Sequence, residues 1–380
     1  MASSESSAAK SPVHAHDFTR QWAQIGPAVS EAVRAVGESG WYILGPEVEA
    51  FERDLASFWG RRFAVGVASG LDALEIGLRA LGCRPGDKVL LPPVSAFATA
   101  LAAIKLGAAP VFVDCDRYGL LDLDAAARVL VSDPSIRFLV PVHLYGHSID
   151  MPRLAHLRDR FGLTIIEDCA QSIGASHGGI PCGAVGACAA TSFYPTKNLG
   201  ALGDGGALLT DSPEIAALAR SLRDYGQAAR YRHDVIGYNS RLDELHAAIL
   251  RRALLPALPE WNAARRRIAA FYLANIRNPL LAVVGAPAGS DSCWHLFPVW
   301  APVGRKAELL AHLRAAGIGV GEHYPTAMMD QPVMRGVPHH VAGECAAARD
   351  LCAREVSLPI HPHLEAGETG RVVDACNSWR

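Results

Sequence analysis

The stretch FAVGVASGLDALEIGLRALGCRPGDKVLL, residues 63–91, decides the fold class of this chain. It begins with a short apolar run, Phe63–Ala68, and continues with an amphipathic stretch of helical spacing at Leu71–Leu81. A second short apolar run, Lys88–Leu91, closes the unit. Short apolar runs that alternate with amphipathic helices are typical of a parallel β-sheet covered by helices on both faces.

The same alternation continues toward the carboxyl terminus, so the sequence predicts an α/β fold. Five further apolar runs predict strands at Pro110–Val113, Phe138–Val142, Leu163–Ile166, Ala187–Phe193 and Gly206–Thr210. Helical patterns occur at Phe18–Gly37, Ala96–Leu106, Leu123–Val131 and Met151–Phe161. With the two strands above, these elements predict a mixed, mostly parallel seven-stranded sheet flanked by helices.

Chain length and a change of pattern predict more than one domain. At 380 residues the chain exceeds the usual size of a single core. A long helical pattern at Ser240–Leu255 ends at Pro256 and Pro259, and the pattern changes there. The predicted segments are a flexible tail rich in Ser and Ala at residues 1–16, a large domain at 17–255 and a smaller carboxyl-terminal α/β domain at 256–380.

Composition argues against several classes of protein. Half of the residues are hydrophobic, and the net charge of −2 comes from interspersed charges without the basic stripe of a nucleic-acid-binding protein. No apolar run approaches the ~20 residues that span a bilayer, and Met1–Pro12 lacks the apolar segment of a signal peptide. The nine cysteines include no CxxC pair and are expected to be reduced, which predicts a cytoplasmic protein.

Metal binding is not expected. His339 and His340 are adjacent, and His361 and His363 are two residues apart. Histidines in such loops are more often solvated or stacked on rings than bound to a metal, and the cysteine spacing offers no zinc site.

Two segments at predicted strand ends have the chemistry of a ligand site, because open parallel sheets bind ligands there. Gly70 and Leu71 begin a helix directly after a strand, where free N–H groups favour the binding of an anion. The alternative, which the sequence leaves open, is a turn that binds no ligand. Asp168 ends another strand, where a carboxylate can protonate the pyridine nitrogen of a bound ring. A helix cap is an equally open interpretation of Asp168.

Two further segments carry a lysine and an aromatic residue. Lys197, in SFYPTKNLG at residues 192–200, lies between a strand and a glycine-rich turn. Partial burial lowers the pKa of such a lysine and makes it a nucleophilic amine, whereas a surface lysine is the alternative. Ser192 offers a hydroxyl to a phosphate, and Phe97 either stacks on a flat ring or belongs to the core.

Together these segments resemble the DegT/StrS family of sugar aminotransferases, which are fold-type I enzymes that use pyridoxal 5'-phosphate (PLP). The resemblance covers about residues 40–364. Its motifs occur in one order: GWYILGP at 40–46, SGLDAL at 69–74, EDCAQSIGA at 167–175, SFYPTKNLGALGDGG at 192–206, GYNSRLDELHAAIL at 237–250, GVGEHYP at 319–325 and SLPIHP at 357–362.

The resemblance implies a role for each candidate residue. Lys197 is the lysine that holds PLP as a Schiff base, and Asp168 pairs with the pyridine nitrogen. The other implied cofactor contacts are Gln171 to the ring hydroxyl, Phe97 as the stacking aromatic, and Gly70, Leu71 and Ser192 to the phosphate. Asn239 is implied to reach the phosphate of the neighbouring subunit, which predicts a homodimer with shared active sites; His323 and Tyr324 are implied to bind substrate.

The implied reaction is the transfer of an amino group, usually from glutamate, to a keto sugar nucleotide. The version GLDAL at residues 70–74 is similar to members that aminate carbon three of dTDP-linked 6-deoxy keto hexoses. Amination of carbon four or of a cyclitol is the alternative. A PLP-dependent sugar dehydratase would replace Lys197, and a non-enzymatic regulator would need a helix-turn-helix or a basic face.

Overall fold

A computed structural model describes residues 11–380, and its central feature is an eight-stranded β-sheet. The strands of the described chain are β1 Phe63–Val67, β2 Lys88–Leu91, β3 Ala109–Val113, β4 Phe138–Leu139, β5 Thr164–Asp168, β6 Ser176–His177, β7 Ile180–Pro181, β8 Cys188–Ser192, β9 Gly206–Thr210, β10 Gln227–Ala229, β11 Arg232–His233, β12 Ala282–Val283, β13 Ser290–Asp291, β14 Phe297–Trp300, β15 His340–Ala342 and β16 Glu355–Leu358.

Helices connect most of these strands. They are α1 Phe18–Ser39, α2 Pro46–Trp59, α3 Gly70–Ala80, α4 Ala98–Lys105, α5 Leu123–Ser132, α6 Met151–Phe161, α7 Pro213–Arg223, α8 Glu244–Ile249, α9 Leu258–Asn275, α10 Lys306–Ala315, α11 Ala346–Arg354 and α12 Ala366–Ser378. A π-helical turn at Leu250–Leu254 follows α8 directly. Short 3₁₀ turns occur at Leu144–Gly146, Met328–Asp330 and Pro332–Gly336.

The order of strands in the large sheet is β1-β9-β8-β5-β4-β2-β3-β15. β9 runs antiparallel to both of its neighbours, and every other adjacent pair in this sheet is parallel. The predicted α/β class and the seven mostly parallel strands are confirmed. The sequence prediction missed β15, an eighth strand that pairs with β3, because three residues carry too little pattern to reveal a strand.

Helices cover both faces of this sheet. One core contains the buried faces of α3 to α7, and it includes Leu74, Leu130 and Leu154. A second core contains α1, α2 and α8, and it includes Val29 and Phe51. A sheet buried on both faces explains why its strands are continuous apolar runs rather than alternating ones.

The predicted long helix Ser240–Leu255 is wrong at its start, whereas its end agrees within one residue with the helical run that stops at Leu254. α8 starts only at Glu244, because the Ser240 hydroxyl is used elsewhere: it accepts a hydrogen bond from the Ala68 N–H at 3.1 Å and donates one to Asp72 at 2.7 Å. Nor does Pro259 end the helical region, since it lies in the first turn of α9, where a missing N–H costs nothing.

The amino-terminal segment is packed where the sequence predicted a flexible tail. The first ten residues of that prediction lie outside the described residues. Val13 is fully buried, and its N–H donates to the Gly317 carbonyl at 2.8 Å while its own carbonyl accepts from the Gly319 N–H at 2.7 Å. Val13 belongs to a third core around the small sheet β12-β14-β16. An apolar side chain with a paired backbone therefore anchors the segment after residue 10.

The division of the chain at residue 255 stays a prediction. Apart from Val13, the buried residues of the third core, which include Phe297 and Val356, do belong to the carboxyl-terminal third. Met328, Met334 and Leu351, however, lie in the core of the large sheet. The segment that carries these residues returns to the large domain and contributes β15 to its edge.

Within residues 11–380, no helix combines the length and apolar character that crossing a membrane requires. All nine cysteines are buried as free thiols.

Candidate active site

The predicted residues converge at the carboxyl ends of the parallel strands. Asp168 is the last residue of β5, and Ser192 is the last residue of the adjacent β8. Gly70 starts α3 just after β1, and Lys197 lies in the turn between β8 and β9. Residues that are more than a hundred positions apart in the sequence thus meet at one edge of the sheet.

The first turn of α3 forms an anion site. The Ser69 side chain caps the helix by accepting from the Asp72 N–H at 3.1 Å. The N–H groups of Gly70 and Leu71 have no hydrogen-bond partner among the described residues. A Cβ on Gly70 would lie only 2.7 Å from the Ser192 Cβ, so glycine lets the turn press against Ser192. Two free amides, a hydroxyl and a helix dipole are suited to a phosphate.

Asp168 is a buried carboxylate with a fixed orientation. Its side chain is 5% exposed. Oδ2 accepts from the Thr99 hydroxyl at 2.8 Å, and Oδ1 accepts from the Ala170 N–H at 3.1 Å. Burial raises the pKa of Asp168, while these two hydrogen bonds and the Lys197 charge oppose that rise. Turns rather than a helix follow Asp168, so the alternative of a helix cap is excluded.

Lys197 lies in a tight, well-anchored turn. Burial lowers the pKa of its ammonium group to about 8, and the nearby carboxylate of Asp168 opposes this shift. The next residue, Asn198, is buried and donates to the Asn262 side chain at 2.8 Å and to the Cys293 carbonyl at 3.0 Å. The position of Lys197 is therefore set by its buried neighbour, and the alternative of a solvated surface lysine is excluded.

Gln171 links the Asp168 segment to the HYP loop at residues 323–325. Its Oε1 accepts from the Tyr145 N–H at 2.7 Å, and its Nε2 donates to the Tyr324 hydroxyl at 3.1 Å. The Tyr145 hydroxyl donates to the His323 carbonyl at 2.6 Å. Since an amide nitrogen carries two hydrogens, Gln171 keeps one donor for a ligand.

Phe97 immediately precedes α4, the helix that carries Thr99. Its ring is half-buried and packs against the large core. The hydrogen bond from Thr99 to Asp168 brings the start of this helix to the end of β5. Phe97 thus lies two residues before the threonine that binds Asp168; its contact with the core agrees with one interpretation of the sequence, and its stacking on a ring stays a prediction.

Asn239 stands apart from the other candidates. Its side chain is exposed and makes no hydrogen bond within residues 11–380, although its backbone pairs with Asp224. Its neighbour Ser240 contacts Asp72 in the first turn of α3. Within residues 11–380 of one chain, therefore, the Asn239 side chain donates no hydrogen bond to the site.

Sequence reasoning missed two histidines near Lys197. His295 is buried, and its Nδ1 lies 3.1 Å from the Asn198 Oδ1. Burial, with the Lys197 charge as the next contribution, lowers the pKa of His295 well below its usual value. The amino-terminal His16 is also near, and burial lowers its pKa to about 3. Neither residue carries a motif, because each reaches the site only through tertiary packing.

One buried group of potential metal ligands has a structural explanation. His143, Glu167 and Cys169 lie close together beneath the site. Both oxygens of Glu167 are already engaged: Oε1 accepts from the N–H groups of Val185 and Gly186, and Oε2 accepts from the Gly183 N–H and contacts His143 Nε2 at 2.8 Å. Glu167 therefore anchors the segment before β8.

Comparison with known proteins agrees with this geometry. The sequence model of the DegT/DnrJ/EryC1/StrS aminotransferase family matches residues 23–377. The chain belongs to this family. It is therefore a PLP-dependent aminotransferase.

Individual members of the DegT/DnrJ/EryC1/StrS family are similar over nearly their whole length. A dTDP-3-amino-3,4,6-trideoxy-alpha-D-glucose transaminase of Streptomyces venezuelae is 42% identical over 96% of this chain and 95% of its own. A UDP-N-acetyl-3-dehydro-alpha-D-glucosamine 3-aminotransferase of Acidithiobacillus ferrooxidans is 38% identical over 92% of this chain and 94% of its own. The solved structure of S. venezuelae DesV in complex with a ketimine intermediate has a TM-score of 0.92 at 41% identity, covering 97% of this chain and 98% of that one.

The site of this aminotransferase fits PLP. The free N–H groups of Gly70 and Leu71 beside Ser192 suit the phosphate, and the amine of Lys197 suits a carbonyl carbon. The buried carboxylate of Asp168 suits a protonated pyridine nitrogen. Each part of the cofactor thus has a residue of matching chemistry at this edge of the sheet.

Proposed function

We propose that this aminotransferase transfers the amino group of L-glutamate to the keto group at carbon three of a dTDP-linked 3-keto-6-deoxy hexose, in the biosynthesis of an amino sugar. The observation that carries the proposal is that Lys197, whose pKa is lowered to about 8, and the buried carboxylate of Asp168 meet at one edge of the sheet. The activities of the two similar transaminases, which act on carbon three of nucleotide-linked sugars, support the sugar nucleotide and the carbon.

Lys197 acts both as the group that holds the cofactor and as the proton carrier. Bound PLP supplies an electron sink for the carbanion formed at the donor α-carbon. With a pKa near 8, about a quarter of free Lys197 amines are neutral at pH 7.5, against about 0.1% at the ordinary value. With PLP and the donor bound, the neutral Nζ would accept the proton from the donor α-carbon and would later return a proton.

Asp168 and Gln171 orient the ring. Asp168 has two of its lone pairs occupied by Thr99 and Ala170 and keeps others for the protonated ring nitrogen. Gln171 has one N–H left for the ring hydroxyl. Because Gln171 also contacts Tyr324, the ring and the HYP loop share one hydrogen-bonded network.

We expect His323 and Tyr324, which belong to this network, to bind the substrate. His323 donates its backbone N–H to Glu355 at 2.6 Å, and its Nδ1 lies 2.9 Å from the Ser357 hydroxyl. Burial and the Lys197 charge lower the pKa of His323 to about 4, so its imidazole is neutral at physiological pH. A neutral imidazole and a phenol are suited to hydroxyl groups of a sugar.

A panel of keto substrates tests the proposed reaction. With L-glutamate as donor, we expect the highest kcat/KM for the dTDP-linked 3-keto-6-deoxy hexose, followed by the UDP-linked 3-keto sugar. The 4-keto isomer and a keto cyclitol serve as controls of matched reactivity. Mass spectrometry of the products measures amination, and faster amination of the 4-keto sugar or of the cyclitol would replace this proposal with that alternative.

We infer a homodimer, and the exposed surface near Asn239 supports it. Trp41 and Tyr42 are 56% and 57% exposed, and Tyr231 and Ile236, in and after the β10–β11 hairpin, are 81% and 82% exposed. Ile43 and Tyr231 line one open groove, so the two apolar segments adjoin. Large apolar side chains grouped in this way favour association with a second copy of the chain.

Nine buried free thiols support a cytoplasmic location.

In such a dimer, we expect Asn239 to donate to the phosphate held by the partner's α3. An equimolar, co-refolded mixture of Lys197→Ala and Asn239→Ala proteins would then contain heterodimers with one intact site. Each parent is expected to be nearly inactive, and the mixture should recover up to about a quarter of wild-type activity, since half of the dimers are mixed.

The control for this complementation is Asn275→Ala, which removes an exposed asparagine far along the chain from the site. It should be fully active alone. If subunit exchange is demonstrated by native mass spectrometry and the mixture still shows no more activity than its parents combined, Asn239 does not serve a partner's site.

A further inference from the structure

Two buried hydroxyl groups are linked to the Asp168 carboxylate by hydrogen bonds. Thr99 is 1% exposed and Ser95 is 5% exposed. The Thr99 hydroxyl donates to Asp168 Oδ2 at 2.8 Å, and the Ser95 and Thr99 hydroxyl oxygens are 2.8 Å apart. The three side chains therefore form a continuous hydrogen-bonded chain from the loop after β2 to the end of β5.

The direction of this chain follows from counting protons. An ionised carboxylate only accepts hydrogen bonds, so Thr99 must use its single hydroxyl hydrogen toward Asp168. The hydrogen between Ser95 and Thr99 must then come from Ser95. Both hydroxyl dipoles point their positive ends toward the carboxylate, and hydrogen bonds in such a chain strengthen one another.

We propose that Ser95 and Thr99 form a hydroxyl relay that holds the Asp168 carboxylate ionised and fixes the direction in which it faces the cofactor ring. They act through Asp168 and are positioning residues, and the inference rests on the proposed role of Asp168. The Ala170 N–H holds Oδ1, and Thr99 holds Oδ2, so the plane of the carboxylate is fixed from two sides.

The relay also explains how a buried aspartate can stay ionised here. Burial alone favours the protonated form of Asp168. The pyridine nitrogen must itself carry a hydrogen, so it needs an ionised carboxylate as its partner and not an acid with a hydrogen of its own. Donors that prefer the ionised form oppose this effect. Thr99 and Phe97 both lie at the start of α4. The first turn of this helix therefore positions Asp168, through Thr99, and also Phe97, the predicted stacking residue.

Thr99→Val tests the relay, because valine keeps the branched shape and removes only the hydroxyl. We expect PLP to bind the apoenzyme about tenfold more weakly and kcat to fall about 10- to 100-fold, with the KM for the keto sugar nearly unchanged. Thr99→Ser restores the hydroxyl and should return both quantities to within about threefold of wild type. Ser95→Ala removes only the outer donor and should lower kcat about threefold.

A double-mutant cycle separates this inference from the proposed function. In an Asp168→Ala background, Thr99→Val should have no further effect on PLP affinity, because the acceptor that the relay serves is gone. Full activity of Asp168→Ala would overturn the role of Asp168 itself. If Asp168→Ala is inactive while Thr99→Val binds PLP and turns over within twofold of wild type, the relay alone is overturned. If Thr99→Val does not fold, Ser95→Ala decides: unchanged kcat and PLP affinity would overturn the relay.

Discussion

Replacement of Lys197 by alanine is expected to abolish transamination, with a loss of at least about 10⁴-fold in kcat. The described chain places no second lysine in this turn, and the buried Asn198 that anchors the turn is unchanged by the substitution. The protein should therefore still fold and still bind PLP noncovalently through its helix-start amides and Ser192. Absorption spectra, steady-state rates and PLP affinity measure these three outcomes.

Borohydride reduction followed by peptide mass spectrometry tests the attachment directly. The PLP mass is expected on the peptide that contains Lys197. Lys88→Ala is the matched control, because that lysine forms a partly exposed ion pair with Asp133 at 2.6 Å and lies away from the site. It should keep full activity and the same labelled peptide. A cofactor adduct on any other lysine would contradict the assignment.

Replacement of Asp168 by alanine is expected to lower kcat by about three orders of magnitude while the fold survives. Without its carboxylate, nothing in the described site holds a proton on the ring nitrogen, and the carbanion loses its electron sink. The Thr99 hydroxyl and the Ala170 N–H also lose their acceptor, which should cost about 1–3 kcal/mol in the free energy of unfolding.

The matched control is Asp122→Ala, since Asp122 only caps α5 by accepting from the Asp124 and Ala125 N–H groups. Its loss should lower the free energy of unfolding by about 1 kcal/mol and leave the activity unchanged. Urea unfolding and steady-state kinetics on both variants separate the two roles. Near-normal turnover of Asp168→Ala would show that its carboxylate merely supports the local turn.

Much of the fold was predictable because its signals are local. Apolar runs such as Lys88–Leu91 and caps such as Asp150 before α6 identify strands and helix starts without any tertiary information. β15 and the late start of α8 escaped prediction for a common reason. The first depends on pairing with β3, and the second depends on the contact of Ser240 with Asp72.

By itself, the sequence determined the α/β class and the order of the strands along the chain, and it indicated the lysine and the acid as candidates, since each lies in a motif beside a strand end. Only the tertiary structure decided how those residues are tuned. The pKa of Lys197 depends on burial, the orientation of Asp168 on Thr99, and the neutral state of His295 on the surrounding packing. These are effects of desolvation and of contacts between distant segments, which exist only when the chain is folded.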